Sequence, residues 1–145
     1  MIEYSERRDF DPEQLRALFA AVGWESGRYP NRLAAGLAAS SRVVSAWDGD
    51  RLVGLVRALD DGATVAFLHY LLVLPEYRGR HIGEQLMRRI MDAYRDMLYI
   101  KIMPSDPATL PFYAKLGFET RDNYSAMLIC RMPGISDFDP AQEVQ

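Results

Sequence analysis

One stretch narrows the fold more than any other. The run FLHYLLVLPE leads into YRGRHIG, then into the amphipathic IGEQLMRRIMDAYRDM, and on to LYIKIM at 98–103. A strand, a helix and a second strand joined by a crossover of this length form a parallel pair. YLLVL is apolar on both faces, as expected of a strand inside a sheet. In the helix, Leu86, Ile90, Ala93 and Met97 make one stripe, while Arg88, Arg89, Asp92, Arg95 and Asp96 face solvent. Upstream, Asp48-Gly49-Asp50 and Asp60-Asp61-Gly62 are turn signals between β-rich runs, which predicts three antiparallel strands at about 42–48, 51–59 and 63–74. Near the start, DPEQLRALFAAVGW reads as a helix. Asp11 caps it, Pro12 suits its first position, Gln14 completes a capping box, Leu15, Leu18, Phe19 and Val22 share a face, and Gly23 ends it. NRLAAGLAAS at 31–40 is a second helix, weakened by Gly36 at a cost of about 1 kcal/mol. A short helix around FYAKL and two last strands, near 117–120 and 124–131, complete the layout. The fold class is α/β: a single domain with a mixed, mostly antiparallel central sheet flanked by helices.

At 145 residues the chain is one domain of ordinary size, which needs neither disulfide nor metal to bury a core. Residues 1–132 are expected to form that domain. The stretch 133–145, with Pro133, Gly134 and Pro140 among acids, is expected to be a loose tail. Cys130 is the one cysteine and reads as a small buried hydrophobe. The N-terminus lacks an apolar signal core, and no run approaches the ~20 apolar residues that span a bilayer. No membrane association and a cytoplasmic location are the expectations. A net charge of −3, from 17 basic and 20 acidic residues, argues against a nucleic-acid partner.

The chemistry concentrates in YRGRHIG. A helix N-terminus exposes unpaired backbone N–H groups and a partial positive charge, glycine lets a ligand approach the backbone, and Arg78 and Arg80 add mobile charge. This suits a pyrophosphate, although a plain glycine turn flanked by solvated arginines reads equally well. A nucleoside-triphosphate loop would need Gly-Lys-Ser or Gly-Lys-Thr, and a dinucleotide fold would need G-x-G-x-x-G after its first strand; neither occurs.

LLVLPEYRGRHIGEQLM resembles the acetyl-coenzyme A motif of the GCN5-related N-acetyltransferases, Arg/Gln-x-x-Gly-x-Gly/Ala. PFYAKLGF at 111–118 resembles that family's second signature, a Phe-Tyr pair followed by Lys-x-Gly-Phe. Element order agrees along nearly the whole chain. His81 stands where the family usually has Gly, which leaves two readings: a tolerated surface residue, or a side chain that meets the phosphates.

The resemblance implies an acetyl-CoA-dependent N-acetyltransferase in which the amine of a small molecule attacks the thioester directly. It implies a parallel strand pair that splays at the coenzyme site. Leu71, Leu72 and Val73 would pair with the pantetheine arm, and a backbone N–H of Leu72 or Val73 would stabilise the carbonyl oxygen. Gly79, Arg80, His81, Ile82, Gly83 and Glu84, with Arg78, would wrap the pyrophosphate. Tyr113 would be the general acid toward the coenzyme sulfur, and Phe112 would pack against the coenzyme or the core. Asp106 takes the place of a family Asn that contacts pantetheine. The usual strand acid is missing, so the base is either His69 or a water chain to Glu25 or another acid. Period-two alternation puts His69 and Tyr70 on opposite faces. The acceptor would lie by GWESGRYP, where Trp24, Glu25, Arg28 and Tyr29 with Tyr70 and Tyr124 could form an aromatic wall. A homodimer is left open. The rival reading is a catalytically impaired coenzyme A-binding module, motivated by His81 and the absent acid.

Overall fold

In the computed structural model, which describes residues 1–137, five strands lie side by side in chain order. They are β1 (Ile2–Ser5), β2 (Arg42–Asp48), β3 (Arg51–Asp60), β4 (Val65–Val73) and β5 (Tyr99–Lys101). The first three junctions are antiparallel, and β4 runs parallel to β5. The helices are α1 (Pro12–Ala21), α2 (Pro30–Ala38), α3 (Ile82–Asp92) and α4 (Leu110–Lys115). The mixed, mostly antiparallel sheet with one parallel pair is thus present as expected, and β4 is interior.

Local chemistry sets the element ends. The Asp11 carboxylate accepts the Glu13 N–H at 2.9 Å and starts α1. Gln14 does not close the box; its amide donates to the Asp50 carbonyl at 2.9 Å and ties the helix to the β2–β3 turn. Between β3 and β4, the Asp61 carboxylate takes the Thr64 hydroxyl and the N–H groups of Thr64, Ala63 and Val65, which hold it well below the usual carboxylate range. The core joins Leu15, Leu18 and Phe19 of α1 to Val43, Val53, Leu55 and Val56 of the sheet, with Leu86, Met87 and Ile90 of α3. Gly54 permits close helix-on-sheet packing: a Cβ there would lie 3.0 Å from the Leu72 carbonyl and 3.3 Å from Leu86.

Four expectations change. First, β1 was not anticipated; IEYS is short and mixed, and its pairing with β2 makes it a strand. Second, α3 stops at Asp92, so Ala93 is exposed and Tyr94, 3% exposed, fills the core instead, its hydroxyl donating to Asp60 at 2.6 Å. Third, no strand forms near 117–120 or 124–131. β propensity yields a strand only beside a partner that satisfies its N–H and C=O groups, and among the described residues none lies there. Met127, Leu128 and Ile129 therefore stand 87%, 78% and 76% exposed, and Cys130 is exposed rather than buried. Fourth, within the stretch expected to be loose, the Asp137 carboxylate accepts the N–H groups of Asn31 (3.0 Å) and Arg32 (2.9 Å), capping α2 from a distance. The rest of that stretch, 138–145, lies outside the described residues.

Candidate active site

Two structural departures create the site. The first is the short β4–β5 ladder, which pairs only Val65, Ala66 and Phe67 of β4 with Tyr99, Ile100 and Lys101. Beyond Phe67 the β5-facing edge of β4 has no strand beside it among the described residues, so the backbone of Leu71, Leu72 and Val73 is open there to an extended ligand. The second is an irregularity between β3 and β4 at Leu55–Arg57, where Tyr70 adopts φ +60°.

That bulge overturns the alternation expected of β4. His69 and Tyr70 do not point to opposite faces; their rings stack at 3.8 Å. A bulky side chain in the left-handed region costs roughly 1–2 kcal/mol. Aromatic packing offsets it: Tyr70 meets Phe19 edge-on at 5.0 Å and Trp24 at 6.1 Å, and its hydroxyl donates to Ser26 at 3.3 Å. Arg57, opposite His69 in register, reaches over Tyr70 at 4.8 Å and donates through Nε and Nη2 to His69 Nδ1 at 3.1 and 2.9 Å. Burial, and then the Arg57 charge, lower the His69 pKa to about 4. Since arginine only donates, Nδ1 must accept, and the ring proton of the neutral imidazole sits on Nε2.

The glycine loop is pinned from behind. A single 3-10 turn, Pro75–Tyr77, follows β4. Tyr77 is buried, and its hydroxyl donates to Asp48. Arg80 stacks over the Tyr77 ring at 4.9 Å, and Arg51 pairs with Glu76 at 3.0 Å. Gly79 takes φ +81°, and His81, at the N-cap of α3, takes φ +61°. His81 makes no capping hydrogen bond; its side chain is 81% exposed, with Nδ1 3.7 Å from Glu84. The first-turn N–H groups of Ile82, Gly83 and Glu84 thus have no side-chain cap. Gly83 is the meeting point of the two sequence motifs: a Cβ there would lie 3.8 Å from Val73 and 3.7 Å from the Phe112 ring of α4. A larger side chain would fill that passage. Uncapped N–H groups, a glycine kept bare and an open strand edge fit a coenzyme with a diphosphate and an extended arm.

Tyr113 is half-buried beside Phe112 and Phe118, at ring separations of 5.1 and 6.0 Å. Burial raises its pKa above the ordinary phenol value, so its proton is retained at neutral pH. Asp106 serves locally: its carboxylate caps the turn Pro107–Thr109, accepting the Ala108 N–H at 3.0 Å. The aromatic wall is partial. Trp24 joins Tyr70, but Tyr124 stands apart by Lys101, and Glu25 and Arg28 are exposed. Sequence reasoning passed over Arg57, although a charge inside the apolar run LVGLVRAL was a visible signal. The fold of Tyr70 left no such trace. A hollow of about 330 Å³ lined by Tyr4, Trp47 and Asp50 opens at the β1 edge, across the sheet from these groups.

Comparisons with known proteins agree with this geometry. Residues 5–118 match the Acetyltransferase (GNAT) family. A histone acetyltransferase of Glycine max is 33% identical over 131 residues, covering 81% of this chain and 56% of that protein. An uncharacterised N-acetyltransferase of Prochlorococcus marinus is 28% identical over 120 residues, 79% of this chain and 66% of that one. The chain thus spans between about half and two thirds of these curated relatives. Among solved structures, a probable acetyltransferase from Staphylococcus aureus superposes with a TM-score of 0.81 at 26% identity, covering 90% of this chain and 99% of that one. A Streptococcus pneumoniae GNAT-family acetyltransferase gives 0.77 at 30% identity, with the same coverages. The chain belongs to the GNAT family of acetyltransferases.

Proposed function

We propose that this protein transfers an acetyl group from acetyl-CoA to the amine of a small molecule by direct attack. The observation that carries the reading is the convergence at Gly83, where the uncapped first turn of α3, the open end of β4 and the ring preceding Tyr113 meet. Acetyl-CoA supplies an activated acetyl thioester. The backbone N–H groups of Gly79 to Glu84, with Arg78 and Arg80, hold the diphosphate. Leu71 to Val73 pair with the pantetheine arm, and a Leu72 or Val73 N–H faces the charge that develops on the carbonyl oxygen. The Tyr113 hydroxyl, which keeps its proton because burial raises its pKa, gives it to the departing sulfur.

His69 is assigned a positioning role rather than that of the base. With Nδ1 committed to Arg57 and Nε2 protonated, the neutral ring has no lone pair left for an amine proton. That proton passes to solvent, with Glu25, exposed on the turn after α1, as the one acid of the acceptor loop. We further propose a cytoplasmic enzyme that binds neither nucleic acid nor membrane; among the described residues no helix is long and apolar enough to cross a bilayer. The exposed run Met127 to Ile129 and the open edge of β5 support a homodimer.

The test is thiol release from acetyl-CoA across a panel of small primary amines, with coenzyme binding followed by calorimetry. Binding together with amine-dependent thiol release is the expected result. Binding without release on any amine would favour the impaired coenzyme A-binding module, whose motivating features are His81 and the absent strand acid.

A further inference from the structure

Arg57 is a half-buried cation with no anion. Its hydrogen bonds go only to His69 Nδ1, which is uncharged, and among the described residues no carboxylate lies within 4.0 Å of it. Removing a charge from water without a counter-ion is costly, and charged side chains inside proteins are normally paired. Burial lowers the Arg57 pKa from its usual value, an independent sign of that cost.

The surroundings are nonetheless built to hold the guanidinium. It lies over the Tyr70 ring at 4.8 Å, and His69 fixes its Nε–Nη2 side. Helix α2 places a glycine, Gly36, against it; a Cβ there would sit 3.4 Å from Nη1. Glycine weakens a helix interior by about 1 kcal/mol. At this position it keeps open the space beside the guanidinium.

The binding edge follows from counting donors. A guanidinium has five N–H bonds in a planar fork. Nε–H and one Nη2–H point at His69, which leaves the second Nη2–H and both Nη1–H bonds. Nη1 has no hydrogen-bond partner, and no side-chain nitrogen or oxygen among the described residues is both sealed from solvent and unpartnered, so Nη1 reaches solvent beside Gly36. The outward Nη1–Nη2 edge is the side that binds a carboxylate through two parallel hydrogen bonds. It sits beside the Tyr70 bulge, just before the β4 backbone assigned to the coenzyme arm.

We propose that the acceptor is an amine carrying a carboxylate, which docks on the outward edge of Arg57 beside Tyr70 and Trp24. The inference rests on the acetyltransferase reading for the amine and on Arg57 alone for the carboxylate. A single carboxylate charge neutralises the arginine without remainder. Arg57 also covers the Tyr70 face that would otherwise attract the amine as a cation, so the amine is directed past that ring.

Two measurements test it. The first compares matched acceptors in the thiol-release assay: an aralkylamine, its α-carboxylate, the methyl ester of that acid, and the corresponding α-phosphonate. The carboxylate is expected to exceed the amine and the ester at least 10-fold in kcat/KM, mostly through KM. Arg57→Met should erase that preference, and Arg57→Lys, which keeps the charge without the fork, should restore part of it. Equal kcat/KM for acid and ester in the wild type would overturn the proposal, as would a phosphonate preferred over the carboxylate. The second measurement needs no turnover: calorimetric titration of 3-phenylpropanoate against 3-phenylpropanol. The carboxylate is expected to bind at least 10-fold more tightly, and Arg57→Met to abolish the difference. No difference in the wild type would refute the anion site even if acetyl transfer proceeds; a difference without thiol release would uphold the anion site and count against the acetyltransferase reading.

Discussion

Tyr113 and His69 show burial acting in opposite chemical directions. Burial disfavours whichever form carries charge, so it keeps the phenol protonated and the imidazole neutral. For Tyr113 this preserves the proton that the proposed reaction would pass to the sulfur. Tyr113→Phe is expected to lower kcat about 100-fold with the coenzyme dissociation constant changed less than about 2-fold, measured by steady-state kinetics and calorimetry; unchanged turnover would remove the acid role. For His69 the effect appears in stability. The folded value of about 4 lies below the ordinary value of 6.5, so the unfolded chain takes up the proton first as pH falls. The stabilisation is complete above about pH 6.5 and is lost as pH drops toward 4. His69→Asn keeps an acceptor for Arg57 and removes the titration. Thermal melts should show the wild type losing Tm relative to this variant over that window, and parallel curves would refute the assignment.

At the scale of elements, the start of α3 is decided by backbone conformation. Gly79 and His81 both lie at positive φ, and the N–H groups of the next turn are left without a competing side-chain cap. His81 tolerates the left-handed region better than a β-branched residue does. His81→Val is therefore expected to cost about 1–2 kcal/mol in stability and to weaken acetyl-CoA binding, whereas His81→Gly should bind about as well as wild type; equal behaviour of Val and Gly in denaturant titrations and calorimetry would show that the φ does not matter. Gly83→Glu places bulk and negative charge against Val73 and Phe112 and should abolish coenzyme binding. The two family motifs made this junction legible in the sequence, since glycine, arginine and the Phe-Tyr pair are visible as letters. The Tyr70 bulge was not, because nothing in FLHYLLV distinguishes a residue at φ +60° from one in regular strand. The expectation that His69 and Tyr70 face apart failed for that reason.

Across the described residues, periodicity, turn residues and the length of the crossover located four of the five strands and the four helices because each has a local cause: a cap, a proline, an Asx turn or an apolar stripe. What they missed depends on partners distant in sequence. β1 exists because β2 offers an edge, and the run at 124–131 forms no strand because, among the described residues, none lies beside it to pair with. Its apolar side chains and the three-residue edge strand β5 lead to an expected homodimer. Sedimentation velocity should give a dimer for the wild type and a monomer for Ile129→Asp, and a monomeric wild type would refute it.

Where acetyl-CoA binds decides the proposed function, and a crystal structure with coenzyme A measures that directly. It should show the diphosphate against the backbone of residues 79–84 and the pantetheine arm along Leu71 to Val73, with the sulfur facing the Tyr113 hydroxyl. Coenzyme density in the hollow at the β1 edge, or an α3 N-terminus left without phosphate in a saturated crystal, would contradict it.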